Sequence, residues 1–133
     1  SLSASLQNAR LTAPDGTARV VSKLCGSTLE IDLSVEDARV TESALRVQAC
    51  ALGQASAAIL ESAIIGASLT DLVKAQAALE AMLKTGGPAP TGRFARLSVL
   101  QGVAEYPARH ASTLLAFDGA VLAMTRALAQ APP

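Results

Sequence analysis

A chain of 133 residues is long enough to bury one substantial core, and the reading of the whole of 1–133 is a single domain. Its 11 basic residues balance its 11 acidic ones, which leaves no excess of positive charge for a phosphate-binding surface, so nucleic acid is not an expected partner. Half of the residues are hydrophobic, almost all of them Ala, Leu and Val, with Phe94, Tyr106 and Phe117 the only aromatics, so the core is expected to be aliphatic and closely spaced.

No unbroken apolar run approaches the roughly 20 residues of a bilayer-spanning helix, so no membrane partner is expected. Ser1 to Arg10 lacks a basic segment followed by an apolar one and does not read as a secretory signal. Two cysteines could form one disulfide, but an aliphatic core of this size does not need a covalent staple, and free thiols in a cytoplasmic protein are the preferred reading.

Ala13-Pro14-Asp15-Gly16 is the first turn signal, since Pro fixes one backbone angle and Gly tolerates a positive one. Thr17 to Leu24 is a mixed β-branched and polar stretch that Cys25-Gly26 interrupts. Thr28 to Val35 alternates, with Leu29, Ile31, Leu33 and Val35 on one face, and predicts a half-buried antiparallel strand. After a turn at Val35-Glu36-Asp37-Ala38, Arg39 to Ala49 supplies a third strand of weaker alternation.

Beyond Cys50 the period changes to that of a helix, with Leu52, Ala55, Ile59, Ala63 and Gly66 placed to share a face. Its small residues would let that helix approach the sheet closely. Ser68 or Thr70 can cap a second helix through Leu72, Ala75, Leu79, Met82 and Leu83, and Gly86-Gly87-Pro88-Ala89-Pro90 ends it. Arg93 to Gln101 reads as a short helix. Pro107 suits the first turn of a long final helix lined by Leu114, Leu115, Phe117, Val121, Leu122, Met124 and Leu128. Strands followed by helices predict an α+β fold, a three-stranded antiparallel sheet with helices packed on one face.

Cys25 lies at a strand end beside a glycine, and Cys50 lies where a strand gives way to a helix. Unpaired amides at a helix start favour the thiolate, the form that binds metals and attacks sulfur. Both thiols can equally be small buried hydrophobes. His110, the only histidine, could complete a zinc or iron site, or simply face solvent. Arg109 beside it could hold an anion or a thiolate by charge. No glycine-rich phosphate loop, Gly-x-Ser-x-Gly elbow or His-Glu-x-x-His helix is present, so the enzyme classes built on those motifs are unsupported and a non-enzymatic role is expected.

Lys23-Leu24-Cys25-Gly26-Ser27, Ala49-Cys50-Ala51-Leu52-Gly53-Gln54-Ala55-Ser56-Ala57 and Tyr106-Pro107-Ala108-Arg109 together resemble the three site segments of the IscU/NifU/SufU iron–sulfur cluster assembly scaffolds. Ile64-Ile65-Gly66-Ala67-Ser68-Leu69 is similar too, the likeness runs from about Ala13 to Leu128, and Tyr-Pro-Ala-Arg leans towards the SufU branch. The resemblance implies a SufE/NifU-like fold with an iron–sulfur cluster, iron or zinc held through Cys25 and Cys50. It also implies a cysteine desulfurase and iron–sulfur acceptor proteins as partners. In the family, a Cys-Gly-Asp turn and two further cysteines surround the metal; here Ser27 stands at the aspartate's place and Ser112 at the third cysteine's, with His110 nearby as a substitute donor. A paralogue that only binds proteins, and a dithiol redox protein pairing Cys25 with Cys50, are the competing readings.

Overall fold

The computed structural model describes residues 9–24 and 26–130. Strands β1 (Gly16–Val21), β2 (Thr28–Glu36) and β3 (Arg39–Gln48) form one antiparallel sheet in the order β1-β2-β3. Helices α1 (Ala51–Ala63), α2 (Leu69–Thr85) and α3 (His110–Gln130) follow, with a 3₁₀ segment over Gly92–Glu105 and a 3₁₀ turn over Pro107–Arg109 between α2 and α3. The α+β arrangement expected from the sequence is therefore the one observed.

On β2 the apolar alternation does what it predicts: Leu29, Ile31 and Leu33 are buried against the helices. The opposite face carries Arg19, Glu30 and Arg46, which the register sets side by side across three strands. There Arg46 donates two hydrogen bonds of 2.9 Å to the Asp32 carboxylate, and the Leu11 N–H adds a third at 3.1 Å. Asp37 and Ala38 turn β2 into β3 with φ of 52° and 61°, the paired positive angles of the tight hairpin whose twist suits the strands.

The weak alternation of β3 has a physical cause. Val35 pairs with Val40 while Ser34 pairs with Glu42, so Thr41 is an extra residue in a bulge. That insertion resets the parity of the strand. Val40 and Leu45, an odd number of positions apart, both reach the core.

Helix α3 is the central helix, packed against β1, β2, α1 and α2. Two glycines allow it to lie so close to the sheet. A Cβ at Gly119 would meet Leu29 Cδ2 at 2.6 Å, and one at Gly16 would collide with the backbone of α3 at Ala123 and Ala127. Pro107–Gln130 is long and apolar enough to cross a bilayer, with a mean hydropathy of 1.2 over an 18-residue stretch, although polar residues interrupt it; 61% of that stretch is buried inside the fold. Its apolar character is that of a helix surrounded by protein.

Helix α2 follows its sequence signals. Ser68 accepts from the Asp71 N–H at 3.2 Å while Asp71 accepts from the Ser68 N–H at 3.0 Å, a capping box, and Gly86 closes the other end at φ 68°. Leu72, Ala75, Leu79, Met82 and Leu83 are its buried stripe, as expected. Helix α1 meets the expectation in part: Ile59 of the expected face is buried and Leu52, Ala55 and Ala63 are half-buried against the core, but Gly53, Ser56, Ala57, Ala58 and Leu60 are buried as well and Gly66 lies beyond the helix end. The reason is that its small residues bring it against α3 as well as β3. The Arg93–Gln101 expectation becomes a longer 3₁₀ segment with a kink at Phe94, whose ring packs edge-on against Phe117 at 5.3 Å.

Candidate functional site

The sheet register gathers three chain segments at one end. Val21 pairs with Thr28 and Thr28 with Gln48, so the turn after β1 and the junction after β3 emerge together. The turn is closed by hydrogen bonds from the Ser22 N–H to the Ser27 carbonyl and from the Gly26 N–H to the Ser22 carbonyl, both 2.8 Å, with Gly26 at φ 73°. Cys25 lies outside the described residues. Ser27 is buried. Leu24, exposed at the tip, lines a hollow with Lys84, Pro107, His110 and Ala111, which sets the turn against the start of α3.

Cys50 is the N-cap of α1, in extended conformation at φ −64° and ψ 170°, and its side chain is half-buried. Its Sγ lies 3.4 Å from the Ser112 Oγ on α3. The close approach of the two helices depends on Gly53: a Cβ there would stand 3.1 Å from the Ser112 carbonyl oxygen and 2.8 Å from the Ala49 Cβ. A side chain at that position would crowd Ala49 and require α1 and α3 to give by a few tenths of an ångström, which loosens the contact between the sulfur and the hydroxyl.

Burial alone would raise the Cys50 pKa, but the Ser112 hydroxyl, the Gly53 and Leu52 amides and the Arg109 charge outweigh it and hold the thiol below its ordinary value. The sulfur closes no side-chain cap bond to the helix, so the two amides act on it through their orientation. Ser112 also donates to the Arg109 carbonyl at 3.2 Å, and the Thr113 hydroxyl donates to the same carbonyl at 2.7 Å.

His110 is buried, with Nε2 at 3.1 Å from the Val103 carbonyl and 3.3 Å from that of Ala104. A carbonyl only accepts, so Nε2 carries a proton and Nδ1 is the nitrogen left for any other partner. The ring ties the end of the 3₁₀ segment to the start of α3. Among the described residues no three His, Cys, Asp or Glu side chains come together, so those residues do not by themselves make a resident zinc site. Of the expected site, Cys50, Ser112 and Arg109 are brought together, and His110 sits on another face of the same helix turn. Gly53 and Thr113 were not singled out from sequence; the glycine three residues after a helix-capping thiol was the available signal.

The family model described as the NifU-like N-terminal domain matches residues 5–113. A structure of the N-terminal part of a nitrogen-fixing NifU-like protein from Brucella abortus superposes with a TM-score of 0.93 at 43% identity, over 98% of this chain and 91% of that one. A protein described as an iron–sulfur cluster assembly scaffold for the SUF system, from thermophilic Fervidobacterium islandicum AW-1, shares the fold with a TM-score of 0.80 at 17% identity, over 88% of this chain and 85% of that one. No curated protein sequence matches the chain. The matched stretch takes in the whole sheet, α1, α2 and the first turn of α3, where Cys50 and Ser112 meet, and on that ground the chain belongs to the NifU-like N-terminal domain family.

Proposed function

We propose that this chain acts in iron–sulfur cluster assembly as a scaffold or sulfur acceptor, taking sulfur on Cys50 and holding iron or a nascent cluster through Cys50 and Cys25. Iron and sulfide are cargo in this reading. The observation that carries it, beside membership of the family, is the setting of Cys50: a half-buried thiol at a helix start, with its pKa lowered by Ser112, the Gly53 and Leu52 amides and Arg109 despite its burial. A thiolate is both the nucleophile that attacks sulfur and the anion that ligates iron. His110 would join the ligand set only through Nδ1, since Nε2 is held by Val103 and Ala104.

A donor such as a cysteine desulfurase and an apoprotein acceptor are the implied partners. Leu24 and Tyr106, 82% and 61% exposed, offer apolar surface at this end for such encounters.

Anaerobic incubation with ferrous iron, a cysteine desulfurase and L-cysteine tests the proposal, with iron and sulfane sulfur counted per chain. The wild type is expected to retain both, Cys50→Ser to lose most of each, and Cys25→Ser to lose most of the iron while still taking sulfur on Cys50. A wild type that retains neither would sink the reading in favour of a protein-binding paralogue. A reversible Cys25–Cys50 disulfide without uptake would favour the dithiol redox protein.

A further inference from the structure

We propose that Ser112 is a positioning residue whose hydroxyl turns from the Arg109 carbonyl to the Cys50 sulfur when that sulfur becomes the nucleophile, and that Thr113 makes the exchange feasible. The inference rests on Cys50 as a sulfur acceptor and adds how this chain's own serine serves it. A hydroxyl has one proton to give. The Ser112 Oγ stands 3.2 Å from the Arg109 oxygen and 3.4 Å from the Cys50 Sγ, so two acceptors compete for that proton.

With Cys50 as a thiol there is no conflict, because the S–H can donate to the Ser112 oxygen while the hydroxyl donates to the carbonyl. A thiolate can only accept. The Ser112 proton must then swing to sulfur, and the part-buried Arg109 carbonyl gives up the stabilisation of that bond. Here the Arg109 carbonyl does not lose its only hydroxyl partner, since the Thr113 Oγ1 remains on it at 2.7 Å, the shorter of the two bonds. Ser112 is 2% exposed and Thr113 0%, so water is poorly placed to take either hydroxyl's role. The α1–α3 approach at Gly53 holds the sulfur within reach of the swing.

The chemical step is an exchange between sulfurs. The Cys50 thiolate attacks the outer sulfur of a cysteine persulfide presented by a donor protein; the new Sγ–S bond forms as the donor's S–S bond breaks, and the electron pair leaves on the donor's thiolate. The proton of the outer sulfur stays with the transferred atom, so charge and electrons balance without an added oxidant or reductant. The Ser112 O–H occupies one of the three lone pairs of the Cys50 thiolate and so limits the directions in which the other two can attack.

The test uses the full chain with Cys25→Ser, so that only Cys50 accepts sulfur, and a cysteine desulfurase charged with one equivalent of L-cysteine. Transfer is followed in a single turnover at a pH where Cys50 is a thiolate in every variant, and circular dichroism confirms that each variant folds. Ser112→Thr and Ser112→Val have the same shape and differ in the hydroxyl. Ser112→Val is expected to transfer roughly tenfold more slowly, because a sulfur no longer held by the hydroxyl spends less time in the attacking orientation, with Ser112→Thr within about threefold of the parent. Thr113→Val, which confines the Ser112 proton to the carbonyl, should slow transfer as well, and Thr113→Ser should restore it. Equal rates for Ser112→Val and Ser112→Thr, in a parent that accepts sulfur, would overturn the role of Ser112 alone. A parent that accepts none would overturn it together with the acceptor reading.

Discussion

Replacing Asp32 by Asn changes one atom in the middle of the sheet's outer face, and the consequence can be worked out from its partners. The Asp32 carboxylate accepts two bonds of 2.9 Å from Arg46 and one of 3.1 Å from the Leu11 N–H, and the Asp32 and Arg46 side chains are only 7% and 14% exposed. Burial would raise the Asp32 pKa, yet the Arg46 bond, the Leu11 amide and the Arg46 and Arg10 charges outweigh it and hold the carboxyl below 3.8. Asparagine keeps the shape but loses the charge, and its NH₂ sets a donor against donors. Hydrogen bonds to a charged group contribute about 1.5–3 kcal/mol and neutral ones about 0.5–1.5, so losing one and weakening two costs about 3 kcal/mol. At an unfolding entropy of about 2.1 cal/mol/K per residue, that loss lowers Tm by roughly 10 °C for a chain of this length. Because the folded pKa is depressed, the contribution is complete above the unfolded value of 3.8 and disappears as the pH falls through the folded value. Thermal and urea unfolding of both proteins should therefore show a gap that is constant from neutral pH to about pH 5 and closes in stronger acid. A gap under about 0.5 kcal/mol at pH 7, or one that persists undiminished at pH 2, would refute the reasoning.

Gly53→Ala should gain up to about 1 kcal/mol of helix propensity and lose about 1–3 to crowding against Ala49 and the Ser112 carbonyl, for a modest net fall in Tm and a clear fall in Cys50 reactivity; an unchanged alkylation rate would contradict the close-approach argument. His110→Ala should cost about 1–3 kcal/mol by leaving the Val103 and Ala104 carbonyls without their donor, and His110→Gln should recover part of it. Iron retained by His110→Gln is the expected result, and iron lost from that variant while it stays folded would return the imidazole to the ligand set. Cys50 should be alkylated by iodoacetamide from a lower pH than a free cysteine, because its thiolate is favoured in the fold, and Ser112→Ala should move the profile to higher pH; a wild-type profile equal to that of an unstructured peptide would remove the effect of Ser112, the amides and Arg109.

Local chemistry made much of the fold legible. The alternation of β2 and the Ser68 cap with its Leu72-to-Leu83 stripe were readable because each signal lies within a few residues of what it specifies. Where a distant contact decided the matter, the reading slipped. The buried face of α1 follows its packing on α3, which depends on a glycine with no side chain to mark a face. The parity of β3 follows the bulge at Thr41, which the pairing with Ser34 and Val35 reveals and the strand's own residues do not. Pro107 marks a 3₁₀ turn rather than the first turn of α3 itself; the missing amide suits either start.

The candidate site was legible in its parts and incomplete in its arrangement. Cys50 could be placed at a helix start because the period changes there, and Ser112 could be found by counting on from Tyr106-Pro107-Ala108-Arg109. Which of Ser112 and His110 meets the thiol was already contained in helix geometry. Successive residues turn by about 100°, so positions two apart point about 200° away from each other. Once α3 presents Ser112 to Cys50, as the 3.4 Å contact shows, the His110 ring must leave in another direction, and the Val103 and Ala104 carbonyls receive it. Ser112, the residue reached by counting on from Tyr106-Pro107-Ala108-Arg109, is thus the one that faces Cys50. What it delivers there is a hydroxyl, which accepts from the Cys50 thiol or donates to its thiolate.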